Sequence, residues 1–380
     1  MISAAITPAR TNRSPIFEWW RSVDHLTLGL LICLIAAGLI LSMGTSPAAS
    51  ARLELSNPFN FLYRHAVFAG LGFASAVVIS MLGPLFARRL GIVALLAAVV
   101  LMVALPFIGY EVKGATRWIR VGPLSLQPSE FAKPAFIVFA AWMFAMKKRD
   151  PRLRAQPIVL GVYFLLVVLL LRQPDFGQSF LLSLGFAAVF FFSGMSLGIV
   201  LILLGLACVG SIGAYLALPH VKDRVSRFLN PENSDTYQTD KALEAIANGG
   251  FLGRGPGEGT VKHSVPDIHT DFIFAATVEE FGFLISLLLL AILGGFVLRS
   301  FQNALKLNDY FSQLAVAGLA TLVGMQTIIN LFVNLNMAPP KGMTLPFISY
   351  GGSSMLALCF TAGLILAFTR HRPGAYGYGE

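Results

Sequence analysis

Ten runs of mostly apolar residues organise the chain, at 26–43, 65–86, 90–109, 131–146, 158–171, 178–193, 196–217, 273–298, 311–335 and 353–369. A bilayer core about 30 Å thick needs about 20 apolar residues per helix, and fewer where protein covers part of the helix. Each run therefore predicts a membrane-crossing helix. The fifth and sixth are short and separated only by Arg172-Gln-Pro-Asp-Phe-Gly177. Merging them into one broken helix would invert everything downstream, but Pro174 and Gly177 argue for a turn. The pattern predicts an all-α integral membrane protein of ten transmembrane helices, with a long extracytoplasmic loop at 218–272 between helices 7 and 8. Within that loop, Tyr237–Asn248 sets Leu243 and Ile246 against Lys241 and Glu244, the mark of a short amphipathic helix lying on the bilayer. A loop this long in so economical a chain points to function.

Composition agrees. Apolar residues make up 56% of the 380 and charged residues 12%, against roughly 25% charged in an average soluble domain. So few charges cannot cover a soluble surface, and disorder needs far more of them. The whole chain, 1–380, reads as one polytopic domain. A net charge of +9 would suggest nucleic acid in a soluble protein. Here most basic residues flank apolar runs, so the expected partner is anionic lipid and not nucleic acid. The clusters Arg88-Arg89 and 147–154 fix an orientation with both tails, 1–25 and 370–380, in the cytoplasm. The first run is too long for the apolar region of a signal peptide, and Trp19-Trp20 ahead of it reads as an interface belt. Cys33, Cys208 and Cys359 all lie inside apolar runs without metal-ligand spacing.

Polar groups near a membrane are costly unless paired or used, and four clusters fall on the outer face. The first is Lys113-Gly-Ala-Thr-Arg-Trp-Ile-Arg120, followed by Gln127-Pro-Ser-Glu130 and Lys133. There Arg117 can hold an oxyanion bidentately and Trp118 can pack at the interface; alternatively Trp118 pins a loop, with Glu130 and Lys133 paired one turn apart. The second is Gln173-Pro-Asp-Phe-Gly177, where Asp175 is a candidate ligand or a helix N-cap. The third holds Lys222-Asp-Arg-Val-Ser-Arg227, a glycine run Gly253-Arg-Gly-Pro-Gly-Glu-Gly259 weakly like a phosphate cradle, and His269-Thr-Asp271. Asp271 sits at the mouth of the eighth helix, as a reactive carboxylate or its N-cap. Glu279 and Glu280, two turns deeper, require partners. The fourth runs from Pro339 through Lys341 and Ser349 to Ser354, and its Pro- and Gly-broken backbone must line a cavity or be covered by protein. Cations for an anion, a carboxylate for proton abstraction and an opening to lipid fit chemistry on an anionic lipid-linked substrate.

These motifs, with Glu279-Glu280-Phe-Gly282 and Pro346-Phe-Ile-Ser-Tyr-Gly-Gly-Ser-Ser354, resemble the SEDS family in order and spacing from about residue 25 to 370. The stretch from Pro339 to Pro346 looks more like the division-type members than the elongation-type ones, and Pro134 after Lys133 is a mild departure. The resemblance implies a ten-span peptidoglycan glycosyltransferase of the bacterial inner membrane, located at the division septum. It would polymerise lipid II, release undecaprenyl pyrophosphate, and act with a class B penicillin-binding protein and other divisome proteins. Asp271 matches the family's catalytic aspartate, which takes the proton from the acceptor sugar's 4-hydroxyl. Arg117, Trp118, Glu130, Lys133, Asp175, Arg224, His269, Lys341 and Ser349 are the substrate-binding candidates, with Arg117, Lys133, Arg224 and Lys341 offsetting the leaving group's charge. A divalent cation (Mg or Mn), with Asp271 as a ligand, is the one cofactor in question. The rival readings are a lipid II flippase, a non-catalytic scaffold and an elongation-type polymerase. A transporter needs polar residues along a route through the bilayer, whereas here they concentrate on one face.

Overall fold

The computed structural model describes residues 14–112, 115–122, 124–194, 237–339 and 342–370, with isolated positions between 198 and 226. Among them, eight helices are long and apolar enough to cross a bilayer. Numbered in chain order after a short α1 (Pro15–Ser22), they are α2 (His25–Arg52), α3 (Asn60–Met81), α4 (Pro84–Ile108), α5 (Pro128–Arg149) and α6 (Ala155–Arg172), then α9 (Ile273–Lys306), α10 (Tyr310–Asn334) and α11 (Gly352–Thr369). The apolar α7 (Phe176–Phe192) is shorter at 17 residues, and α8 (Tyr237–Gly249) precedes α9. The run expected at 196–217 lies outside the described residues apart from isolated positions, as do Lys113, Arg224 and Lys341.

The bundle is layered by burial. Within their most apolar windows, α11 is 89% buried and α5 72%, while α4, α6 and α9 are 28% buried. The first two form the centre, and the others turn side chains such as Phe107, Val100 and Leu288 outward. Without a hydrophobic drive between helices in lipid, close contact comes from small residues. Gly72 of α3 meets Cys359 of α11, and Gly363 of α11 meets Ala76 of α3. The third and fourth helices depart from the expected 65–86 and 90–109 because Gly83-Pro84 ends one and starts the next, with proline at the first helical turn where its missing N–H costs nothing.

The wholly helical expectation needs one correction. Residues 110–126, read as a loop, form a small antiparallel sheet in the order β1 (Tyr110–Val112), β2 (Ala115–Val121), β3 (Leu124–Leu126). Tyr110 pairs with Trp118, and Ile119 with Leu126. A link at the mouth of a bundle has backbone groups to satisfy, and strand pairing does so within the link itself.

The loop before α9 also departs from expectation. Helix α8 turns one face onto protein: Thr239, Ala242, Ala245 and Gly249 are buried, and Gly249 packs on the backbone of α9 at Val278. Just beyond, α9 is broken at Gly282 (φ 81°, ψ 170°). The glycine run closes on this break instead of cradling a phosphate. Arg254 N and Gly255 N donate to the carbonyls of Glu279 and Glu280, both at 2.9 Å, and Phe283 N donates to Gly250 O at 3.0 Å. Groups orphaned by the break thus find partners in the loop. Gly282 occupies a region essentially restricted to glycine, which costs other residues of order 1–3 kcal/mol, and a Cβ there would stand 2.4 Å from Leu252 C. Thermal unfolding of Gly282→Ala should therefore show a loss of at least about 1 kcal/mol. Gly294→Ala, with open space around it on the same helix, should change stability by less than about 0.5 kcal/mol.

Candidate functional site

Asp271 follows a tight turn in which its N–H donates to Asp267 O at 3.1 Å. The N-cap position of α9 belongs to Phe272, which makes no side-chain cap bond. Instead, Asn334 of α10 takes up the first turn from outside, its Oδ1 accepting from Ala275 N at 3.2 Å. Asn330 and Asn334, one turn apart on α10, both donate to the Asp271 carbonyl at 2.9 Å. Asn330 Nδ2 also donates to Met343 O at 2.7 Å, which ties the 342–351 segment to the same point. Asp271 is half-buried. A Cβ at Gly342 would lie 3.8 Å from its Oδ2, so the backbone next to Lys341 runs beside this carboxylate. His269 sits on the other side of the turn. Its carbonyl accepts from Tyr350 N at 3.0 Å, and its ring lies 4.2 Å from that of Phe61 and 5.5 Å from that of Tyr350. The Ser349 hydroxyl accepts from Leu345 N at 2.8 Å, closing a buried turn.

A second polar centre lies under the sheet. Arg117 Nε donates to Gln173 O at 2.7 Å and its terminal nitrogen to Pro174 O at 2.5 Å, while Asp175 Oδ2 is 3.6 Å away. The guanidinium therefore organises the 173–175 turn and remains about one-fifth exposed at its side chain, 21%. Trp118, half-buried, takes its place in β2. Asp175 is the N-cap of α7, accepting from Gln178 N at 3.3 Å. Lys133 donates to Glu130 at 2.9 Å and to Gln178 Oε1, and Gln178 returns a bond to Glu130 at 2.7 Å. Ser353 joins this centre to the 342–354 segment, its Oγ accepting from Gln127 N at 2.7 Å.

Burial pushes the Asp175 carboxyl above the usual carboxylate range, against the pull of Arg117. Ionised Asp175 is thus a cost to the fold above the ordinary carboxylate pKa, and the cost disappears as pH falls below it. Asp175→Asn, which keeps the cap, should leave the melting temperature at pH 7 unchanged or raised. Asp175→Ala should lose about 1 kcal/mol.

The third centre holds the deep glutamates. Glu279 accepts from Asn248 Nδ2 at 2.9 Å, Val261 N at 2.7 Å and Lys262 N at 2.8 Å. Glu280 pairs with the buried Lys262 at 2.5 Å. Sequence reasoning required partners for both but did not identify Lys262, and it missed Asn330 and Asn334. The available signal for the asparagines was two amides spaced i, i+4 inside an apolar run.

A bundle of lipid-length apolar helices with its buried polar centres gathered at one end defines a multi-pass membrane protein. The chain belongs to the FtsW/RodA/SpoVE family of cell cycle proteins, whose profile matches residues 24–373. A relative from Caulobacter vibrioides (strain NA1000 / CB15N), named as a probable peptidoglycan glycosyltransferase FtsW, is 46% identical over 369 residues, covering 97% of this chain and 95% of the relative. A protein of the same name from Saccharophagus degradans is 32% identical, with 93% and 94% covered. Among solved structures, a chain from work on the structural coordination of polymerization and crosslinking by a peptidoglycan synthase complex superposes with a TM-score of 0.77 at 27% identity, covering 92% of this chain and 98% of that one. The rod shape determining protein RodA of Thermus thermophilus gives 0.69 at 27% identity, with 92% and 97% covered.

Proposed function

We propose that this protein is a peptidoglycan glycosyltransferase that polymerises lipid II into glycan strands for the division septum and releases undecaprenyl pyrophosphate. Family membership and the FtsW-named relatives support the reaction class. The observation that carries the site is Asp271: its backbone is held by two asparagines, its helix is capped by another residue, and its carboxylate stands beside Gly342. The ten-span reading adds α7 and the run at 196–217 to the eight long helices. Lys and Arg at one end then put both tails in the cytoplasm and Asp271 on the outer face of the inner membrane.

In this reading Asp271 accepts the proton of the acceptor's 4-hydroxyl as that oxygen attacks the donor's anomeric carbon, and the bond to the pyrophosphate oxygen breaks. Hydrogen bonds from Asn330 and Asn334 to its carbonyl fix the main chain of this base at the mouth of α9. Lys341, adjoining Gly342, and Arg224 are the cations assigned to the pyrophosphate. Lys133, Glu130, Asp175, Arg117, Trp118, His269 and Ser349 are assigned to the binding of the rest of the substrate. Among the described residues no three His, Cys, Asp or Glu side chains converge. A divalent cation held here would rest on Asp271 together with substrate oxygens and water.

Purified protein given lipid II should form glycan chains, and the rate should rise on titration with a single-span class B penicillin-binding protein. Lipid II crossing a vesicle membrane with no glycan formed would favour a flippase. Activity unchanged at saturating partner would remove the partner from the scheme.

A further inference from the structure

The opposite end of the bundle carries a second feature that lipid II chemistry does not use. Helix α1 docks through Trp19, which is buried and donates from Nε1 to Ser80 Oγ at 2.8 Å. Its other face leaves Ile16, Phe17 and Trp20 exposed at 66%, 48% and 52%. A helix so divided lies along a membrane surface with those side chains among the acyl chains. Between α1 and the ends of α2, α9 and α11 is a pocket of about 350 Å³ lined by Arg21, His25, Arg299, Asn303, Lys306 and Thr369, with Asp24 in its wall.

The charges in this pocket do not cancel. Asp24 is engaged by Arg299 at 2.6 and 3.0 Å, by Asn303 at 2.9 Å and by Thr27. That pair is complete. Arg21 and Lys306 also line the pocket, and among the described residues neither forms an ion pair with a carboxylate. Two cations and an imidazole in one lining make a site for one oxyanion. Trp20 and Leu26, both exposed, flank it with apolar surface, which a soluble anion would leave uncovered.

We infer that this pocket binds the phosphodiester headgroup of an anionic phospholipid, seated between α1 and the ends of α2, α9 and α11. The lipid's acyl chains continue along the exposed face of α1, and its phosphate lies between Arg21 and Lys306. Bound there, it joins the N-terminal helix to the bundle from the membrane side.

The test uses the full chain in detergent, with native mass spectrometry and thermal unfolding followed during titration with phosphatidylglycerol. Arg21→Gln/Lys306→Gln should weaken retained phosphatidylglycerol about tenfold or more and abolish the melting shift that the lipid produces. The charge-keeping pair Arg21→Lys/Lys306→Arg should bind within about threefold of wild type and show that the fold tolerates change at both positions. Equal retention of phosphatidylglycerol by wild type and the Gln pair would overturn the site. So would equal loss in both pairs, or equal binding of phosphatidylcholine. Inorganic phosphate or glycerol phosphate matching the lipid's melting shift would assign the pocket to a soluble anion and overturn the lipid reading.

Discussion

Asp271→Asn should abolish glycan polymerisation while leaving membrane insertion, lipid II binding and partner binding intact. That is the largest functional effect expected of any single substitution here. Asparagine matches aspartate in size but cannot accept the acceptor's proton at neutral pH, and a general base typically contributes 10²–10⁴-fold. The local structure should not object. The Asp271 carbonyl is held by Asn330 and Asn334, contacts that asparagine keeps, and α9 is entered through Phe272. Measured with lipid II and gel-resolved glycan products, a variant that polymerises within about threefold of wild type would refute the assignment of Asp271 as base.

The largest loss of stability is expected at Lys262. Its ammonium is 2% exposed at the side chain, is shared by Glu280 at 2.5 Å and Gly257 O at 2.9 Å, and lies next to the fully buried Glu279. Lys262→Met leaves Glu280 as an uncompensated charge inside the protein, and breaking a buried pair from one side costs about 3–5 kcal/mol. Lys262→Met/Glu280→Gln removes the stranded charge and should recover a substantial part. Chemical unfolding in detergent gives both values. If the single variant proved as stable as wild type, or the double variant less stable than the single, electrostatic pairing would not be the reason for the burial. The consequence for activity is indirect, because Lys262 fixes the stretch that leads to Asp271. Catalysis by Lys262→Met should therefore fail at a lower temperature than wild-type catalysis.

Much of this architecture was legible in the order of residues. Apolar runs located α7 and the eight longer helices because lipid solvent demands unbroken apolar length, and the turn at Pro174 separated α6 from α7 as expected. Helix ends were less legible, since an apolar run continues across Gly83-Pro84 while the helix does not. The sheet was hidden because Tyr110 and Trp118 become partners only when the strands fold together. The polar clusters were visible as groups, but their internal wiring was not. Arg117 could be read as an anion ligand until the carbonyls of Gln173 and Pro174 were seen at its nitrogens. Glu279 and Glu280 announced a need that Lys262, seventeen or more positions away in the chain, satisfies. A glycine run suggests a ligand and a helix break equally well, and only the positive φ at Gly282 and the loop's hydrogen bonds separate the two.

The two asparagines of α10 have a mechanical consequence. Asn330 grips Asp271 and Met343 with one amide, so the turn bearing the carboxylate and the segment facing it share a single mount. Helices tilt when bilayer thickness changes, and neighbouring helices need not tilt alike. Two groups mounted on different helices would drift apart under such tilting. Here the gap between them is set by one side chain's hydrogen-bond lengths, so both travel with α10 and their spacing is preserved. Such a shared mount opposes the drift that tilting would cause, and favours one geometry through successive additions.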